Sequence, residues 1–397
     1  MGAVRVAFGR IVVRCIILAV ACTGVAPATV NSAPNRSPAD MPGSVKPVIN
    51  GFIDMQNLTW HNVDNGHPTF TLNNVSKYPA LFGGVVLNAT WAEMQTTPGG
   101  PLQTQRIDQP LAQVRSYNAQ QPSSPLGVKL RIFAGNQAPL WAKNIDGGPI
   151  TIQRNPQGCP SHNCPITIGK VWDQNYIRAW RNFQAAVAAQ YDGEPLIRAV
   201  AVTSCSMETD EPFVLPVRQK PPAGYTDAAG QACLSGAIED YSAWQLTSID
   251  YTFNTFIRIH GGGPDPTFSI SVMSQCRAKL GKRCELGNHA FAADMQQRNL
   301  VIVNAISRRG APIHYQTVTP GKKGFDWSST IAAAIQYNAT AIELWPDPQF
   351  QGFTTLSVAQ LTALHAEFIG KHSTPMPHVI SPPPCRPGPP GKPIQCE

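Results

Sequence analysis

The chain has 397 residues, 43% of them hydrophobic and 14% charged, which bounds it to one domain of barrel size or two smaller ones. Its formal net charge is +7, but Arg5, Arg10 and Arg14 lie in an acid-free amino-terminal stretch, and the chain without those three is near +4. That charge is too mild to argue for nucleic acid, and no basic run with interleaved aromatics occurs.

Residues 1–28 read as a secretory signal peptide. Basic residues precede the apolar stretch 15–21 (CIILAVA), and Ala26-Pro27-Ala28 fits a small-x-small cleavage site. The apolar part is shorter than the roughly 20 residues that a bilayer span requires. No stable membrane span is expected; an uncleaved, anchored amino terminus is the alternative. The residues before Cys22 (LAVA) fit a lipidation signal poorly. Residues 29–47 are polar and rich in Pro and Ser, the composition of a flexible linker.

The body, residues 48–371, alternates two kinds of segment. Short apolar runs predict strands at 48–53, 82–87, 128–133, 197–202, 267–273, 312–318 and 339–344, with a weaker one at 284–286. Helical spacing falls between them. Ile107, Leu111 and Val114 share one face; so do Ile177, Trp180, Phe183, Val187 and Tyr191; so do Ile249, Phe253, Phe256 and Ile257. The last helix has Ser357 and Gln360 as a capping box, Leu361, Leu364 and Phe368 as its stripe, and Gly370 after its end. Strand–helix alternation over this length predicts an α/β fold with a parallel sheet. Eight strands suggest a (β/α)8 TIM barrel with long loops. A doubly wound open sheet is the alternative, but no glycine-rich phosphate loop follows the first strand. No cofactor is expected. Residues 372–397 form a Pro-rich tail.

Eight cysteines follow the leader, in close pairs: Cys159/Cys164, Cys205/Cys233, Cys276/Cys284 and Cys385/Cys396. In an exported chain an even count implies disulfides, and nearest-neighbour pairing is the simplest of 105 connectivities. The CxxC and histidine spacing of a zinc site is absent, so no metal is expected.

In a parallel barrel, functional residues gather just past the strands. Here those positions hold Asp54, Asn88, Trp91, Arg131, Trp141, the run 206–213 (SMETDEPF), His289, His314, Gln316, Glu343 and Trp345. Acids, amides and tryptophans at one rim suit a carbohydrate partner: amides bond hydroxyls, and indole faces cover sugar C–H surfaces. Glu343 lies within an otherwise apolar strand, where an unpaired charge is costly. Carboxylates at two strand ends, Glu208 or Glu211 and Glu343, are what acid/base cleavage of a glycosidic bond needs. Asp54, Asn88, Trp91, Arg131, Trp141, Gln316 and Trp345 would line the sugar site.

At these residues the chain resembles the (β/α)8 glycoside hydrolases of the cellulase and β-galactosidase type. Asp210-Glu211-Pro212 is similar to that group's Asn-Glu-Pro motif, with Asp in place of Asn, and implies Glu211 as general acid/base, with Glu208 as the fallback. Trp91-Ala92-Glu93 with Pro98-Gly99 is similar to the loop after the second strand of those barrels. The group places a nucleophilic Glu at the end of strand seven, where this chain has Gln316; its Glu343 comes one strand later. An amide cannot form a glycosyl-enzyme intermediate, so a non-catalytic carbohydrate-binding barrel stands as the alternative function.

Overall fold

Eight strands pair edge to edge into a ring. The computed structural model describes residues 46–56, 70–78, 80–153, 165–207, 222–253, 284–290, 313–317, 331, 334–335, 339–344, 357–372, 385–386 and 395–396. The ring comprises β1 (Gly51–Asp54), β2 (Phe82–Thr90), β3 (Gly127–Phe133), β6 (Ile197–Ala201), β7 (Ser248–Phe253), β8 (Cys284–Ala290), β9 (Ile313–Thr317) and β10 (Ala341–Leu344). Each strand is hydrogen-bonded in parallel to the next, and β10 returns to β1, so the sheet closes. An inserted hairpin, β4 (Ile150–Gln153) with β5 (Pro165–Ile168), follows β3. Near the carboxyl end, β11 (Cys385–Arg386) pairs antiparallel with β12 (Gln395–Cys396), which sets Cys385 opposite Cys396.

The strands read as continuous apolar runs because both of their faces are covered. Phe52, Val85, Leu87, Val128, Leu130, Ile132, Val200, Ile342 and Leu344 turn outward into the main core. Ile49, Ile53, Val86, Ala199 and Ala341 form a separate small cluster. They alternate with the outward set, so they fill the base of the lumen.

The outer layer comes from amphipathic helices. α1 is Asn73–Lys77, α2 Trp91–Met94, α3 Gln105–Gln120, α4 Leu140–Lys143, α5 Gln174–Tyr191, α6 Asp227–Gly236 and α7 Val358–His372. The predicted stripes are the buried faces: Ile107, Leu111 and Val114 on α3, and Ile177, Trp180, Phe183, Val187 and Tyr191 on α5. The capping box of α7 is made: Ser357 N donates to Gln360 Oε1, and Gln360 N donates to Ser357 Oγ. The helix runs two residues past Gly370, to His372, rather than stopping before it.

The ring corrects one element. The fifth barrel strand is Ser248–Phe253, not the run at 267–273, which lies outside the described residues. Ile249 and Phe253 satisfy a helical spacing, but Ile249 and Tyr251 enter the outer core while Asp250 between them faces inward, a period of two. Ile249 alone could not separate the two periods; Asp250 and Tyr251 do.

No helix among the described residues is long and apolar enough to cross a membrane. Among the same residues no group of His, Cys, Asp and Glu is placed to hold a metal ion. The expected leader (1–28) and linker (29–47, described only at its last two residues) and most of the tail (372–397) lie outside the described residues.

Candidate functional site

The lumen carries a buried charge network. Lys129 and Arg131 are two residues apart on β3 and so face the same way. Lys129 Nζ donates to Glu343 Oε1 on β10 and pairs with Asp250 Oδ2 on β7, while Arg131 Nη2 is 2.6 Å from Glu343 Oε2. Neither β7 nor β10 is a neighbour of β3 in the ring, so these contacts cross the lumen. Asp250 Oδ2 also lies 3.1 Å from His314 Nδ1 on β9. All five side chains are at most 1% exposed.

Burial alone would push the Glu343 carboxyl up, but Arg131 and Lys129 outweigh it and hold its pKa below the usual range. Burial likewise opposes ionisation of Asp250, and Lys129 and His314 bring its pKa well below the ordinary value. Lys129 is held protonated, its pKa raised against the pull of burial by Asp250 and Glu343. Lys129 and Arg131 thus stand against Asp250 and Glu343, with His314 beside Asp250. Glu343 is an anion with a donor on each oxygen, the state of a nucleophile or base rather than a general acid.

The seventh strand of the ring is β9, and Gln316 on it is the Cα partner of Glu343 on β10. The strand count is therefore right: an amide stands on strand seven and the acid beside it on strand eight. Neighbouring strands are about 4.8 Å apart, so Glu343 stands one inter-strand spacing from Gln316.

The segment leaving β6 is fixed unusually well for a loop. Val202 to Met207 are 0–3% exposed. Thr203 Oγ1 donates to Ile132 O, Thr203 N donates to Tyr241 Oη at 2.9 Å, and Ser204 Oγ donates to Ala237 O at 3.2 Å. Asn136 N donates to Met207 O at 2.8 Å. Gly135 makes that approach possible: its φ is +54°, and a Cβ there would lie 2.5 Å from Ser206 O. Cys205, at φ +64°, forms a disulfide with Cys233 of α6, the Cα atoms 6.0 Å apart. This is the expected pairing. Glu208 and Glu211 follow in sequence and lie outside the described residues, as do Trp345, Cys159, Cys164 and Cys276. Cys284 is disulfide-bonded.

Three expected sugar-site residues are wholly buried. Trp91 is fully buried, edge-on to Trp141 and Trp180 and stacked on Phe183. Its Nε1 donates to Gln95 Oε1 at 3.2 Å, so it is a core residue with no face for a ligand. Asp54 points to the helix layer: Gln56 N donates to its Oδ1 at 2.9 Å and Gln56 Nε2 to its Oδ2 at 2.7 Å. Burial pushes its pKa up to about 7. Arg131 faces the lumen but is wholly buried against Glu343.

Two others are partly exposed. Asn88 is half-buried on β2, level with Arg131, and its Oδ1 has no hydrogen-bond partner among the described residues. Trp141 is partly exposed at the start of α4, its Nε1 donating to Gln95 O at 3.1 Å. Sequence reasoning missed Lys129 and Asp250. Lys129 had a signal, since it stands two residues before Arg131 in a strand of apolar residues.

No family model matches the sequence, and no curated protein matches it. Solved structures that the chain partly resembles include the catalytic domain of a β-amylase from Paenibacillus polymyxa, with a TM-score of 0.48 at 8% identity over 82% of this chain and 98% of that one. A GH5-4 broad-specificity endoglucanase from Clostridium longisporum gives 0.44 at 10% identity, over 82% and 96%. An old yellow enzyme homologue from Zymomonas mobilis gives 0.43 at 12% identity, over 77% and 88%. The expected (β/α)8 barrel is shown by the closed strand order of the ring itself.

Proposed function

We propose that this chain is an exported glycoside hydrolase, with Glu343 as the ionised carboxylate and Glu211 or Glu208 as the general acid. The observation that carries the reading is Glu343: a lumen-facing carboxylate near the carboxyl end of a barrel strand, held ionised by Arg131 and Lys129. Functional groups of parallel barrels gather at that end. The segment before Glu208 leaves β6 at the same end and is tied down by the Cys205–Cys233 disulfide, which also suits an exported protein. Asn88 and Trp141 supply a polar and an aromatic contact for a sugar. The leader at residues 1–28 would direct export.

The test is a panel of aryl glycosides and plant and bacterial polysaccharides, with product release and binding calorimetry measured side by side. Hydrolysis by the native protein, abolished in Glu343→Gln with an unchanged sugar Kd, supports the reading. A Glu343→Gln protein that retains full turnover sinks it. The second reading is a non-catalytic carbohydrate-binding barrel. It is favoured by the two cations already paired with Glu343 and by Gln316 near the end of the seventh strand. Sugar binding without any cleavage across the panel selects it.

A further inference from the structure

Lys129 Nζ is shared between Glu343 Oε1 and Asp250 Oδ2. Asp250 Oδ2 is shared in turn, because His314 Nδ1 lies 3.1 Å from it. An ionised carboxylate only accepts hydrogen bonds, so that nitrogen carries a proton. Asp250 Oδ1 is buried with no hydrogen-bond partner among the described residues. The contacts therefore run in series across the lumen: His314 on β9, Asp250 on β7, Lys129 on β3, then Glu343 on β10 with Arg131 on its far oxygen. These are the ionisable side chains whose contacts lead to Glu343; Ile53, its partner on β1, is apolar, and on β8 Glu285 and His289 hold the register positions beside Asp250 and Gln316.

One ammonium between two carboxylates is a competition. What Asp250 takes of Lys129, Glu343 loses. We propose that Asp250 is a positioning residue for Glu343: it holds Lys129 back from fully neutralising that carboxylate, and the hydrogen bond from His314 sets how hard it pulls. The inference rests on Glu343 being the reacting carboxylate of the proposed hydrolase. The electrostatics run the same way, since Asp250 raises the Glu343 pKa against the lowering by Arg131 and Lys129.

Two variants should move Glu343 in opposite directions. Asp250→Asn keeps the shape and removes the charge, so Lys129 turns wholly to Glu343. Two carboxylates on one ammonium lie about 5 Å apart, a repulsion equivalent to roughly two pH units at an effective dielectric constant near 20. Lys129 moving to Glu343 acts in the same direction, so the acid limb of kcat/KM should fall by about two pH units. His314→Gln deprives Asp250 of its imidazole partner, so Asp250 draws Lys129 harder and the limb should rise. The same shifts are read without turnover, by the carbon-13 titration of glutamate carboxyls, with the Glu343 signal assigned by its loss in Glu343→Gln. The proposal is overturned if Asp250→Asn leaves that titration in place or raises it, or if the two variants move it the same way. If Asp250→Asn does not fold, His314→Gln decides: a rise supports the proposal and no movement overturns it. A native protein that cleaves nothing refutes the hydrolase, and the carboxyl titration still decides this point.

Discussion

Asp54 offers a direct measurement of how the barrel wall treats a buried acid. Its side chain is wholly buried and its pKa is pushed up to about 7, against the 3.8 of the exposed group. The folded protein therefore keeps a proton on Asp54 that the unfolded chain has already lost. Stability from this residue is fully present below about pH 4, declines as pH rises to about 7, and levels off above it. The difference between 7 and 3.8, at 1.36 kcal/mol per pH unit, gives a total of about 4 kcal/mol. Asp54→Asn removes the titration and keeps one oxygen to accept from Gln56 N. Urea unfolding of both proteins from pH 4 to pH 8, with disulfides intact, isolates the effect. Asp240, whose pKa burial raises to about 6, is common to both and cancels in the difference. The native protein should lose about 4 kcal/mol relative to the variant across that range, mostly between pH 4 and pH 7. A difference that stays flat within about 1 kcal/mol refutes the reasoning and means that water reaches Asp54 in the folded state.

Breaking the Cys205–Cys233 bridge with a double Ser variant releases a loop with a sequence separation of 28 and should cost roughly 3 to 4 kcal/mol by the loop-entropy estimate; unfolding midpoints in calorimetry check it. If the proposed hydrolase is right, turnover should also fall in that variant below its melting temperature, because the segment before Glu208 loses its tether. Trp91→Ala should cost about 3 to 5 kcal/mol, as large core deletions do, whereas Trp91→Phe should retain most of the stability and leave any sugar Kd unchanged; a weaker Kd in Trp91→Phe would return Trp91 to the ligand site. Gly135→Ala introduces a Cβ 2.5 Å from Ser206 O at a φ of +54°, so it should lower the melting temperature well beyond the effect of Gly147→Ala, another left-handed glycine with no neighbour closer than 3.9 Å to the added atom.

The layout of the barrel was legible because strands covered on both faces and helices covered on one leave different spacings. α3, α5 and α7 announced themselves through stripes that turned out to be their buried faces. The fifth strand did not, since Ile249 and Phe253 fit both periods and the sequence carries no mark of which neighbour covers them. Trp91 shows a second limit. Its residue type and its place after β2 suit a sugar platform, but the capping box of Thr90 and Glu93 starts a helical turn there and the indole is enclosed by Trp141, Tyr176, Trp180 and Phe183.

The site itself was half legible, and the missing half is a matter of register. That Glu343 must have a partner followed from its apolar strand. Which partner did not, because Lys129 and Arg131 stand 214 and 212 residues away and meet it only once the ring is closed. Register also separates Glu343 from Asp54, two acids at the ends of adjacent strands. Glu343 is the Cα partner of Ile53, which faces the lumen, and Asp54 is the partner of Leu344, which faces the helices. Side chains alternate faces along a strand, so an offset of one residue decides on which side of the wall a carboxylate falls. The consequence is chemical. On the lumen side Glu343 meets two cations and is kept ionised; on the helix side Asp54 meets amides and apolar cover, and burial drives it toward the neutral form. Two carboxylates on neighbouring strands are thus given opposite protonation states by parity alone, and the one kept charged is the one that faces the lumen.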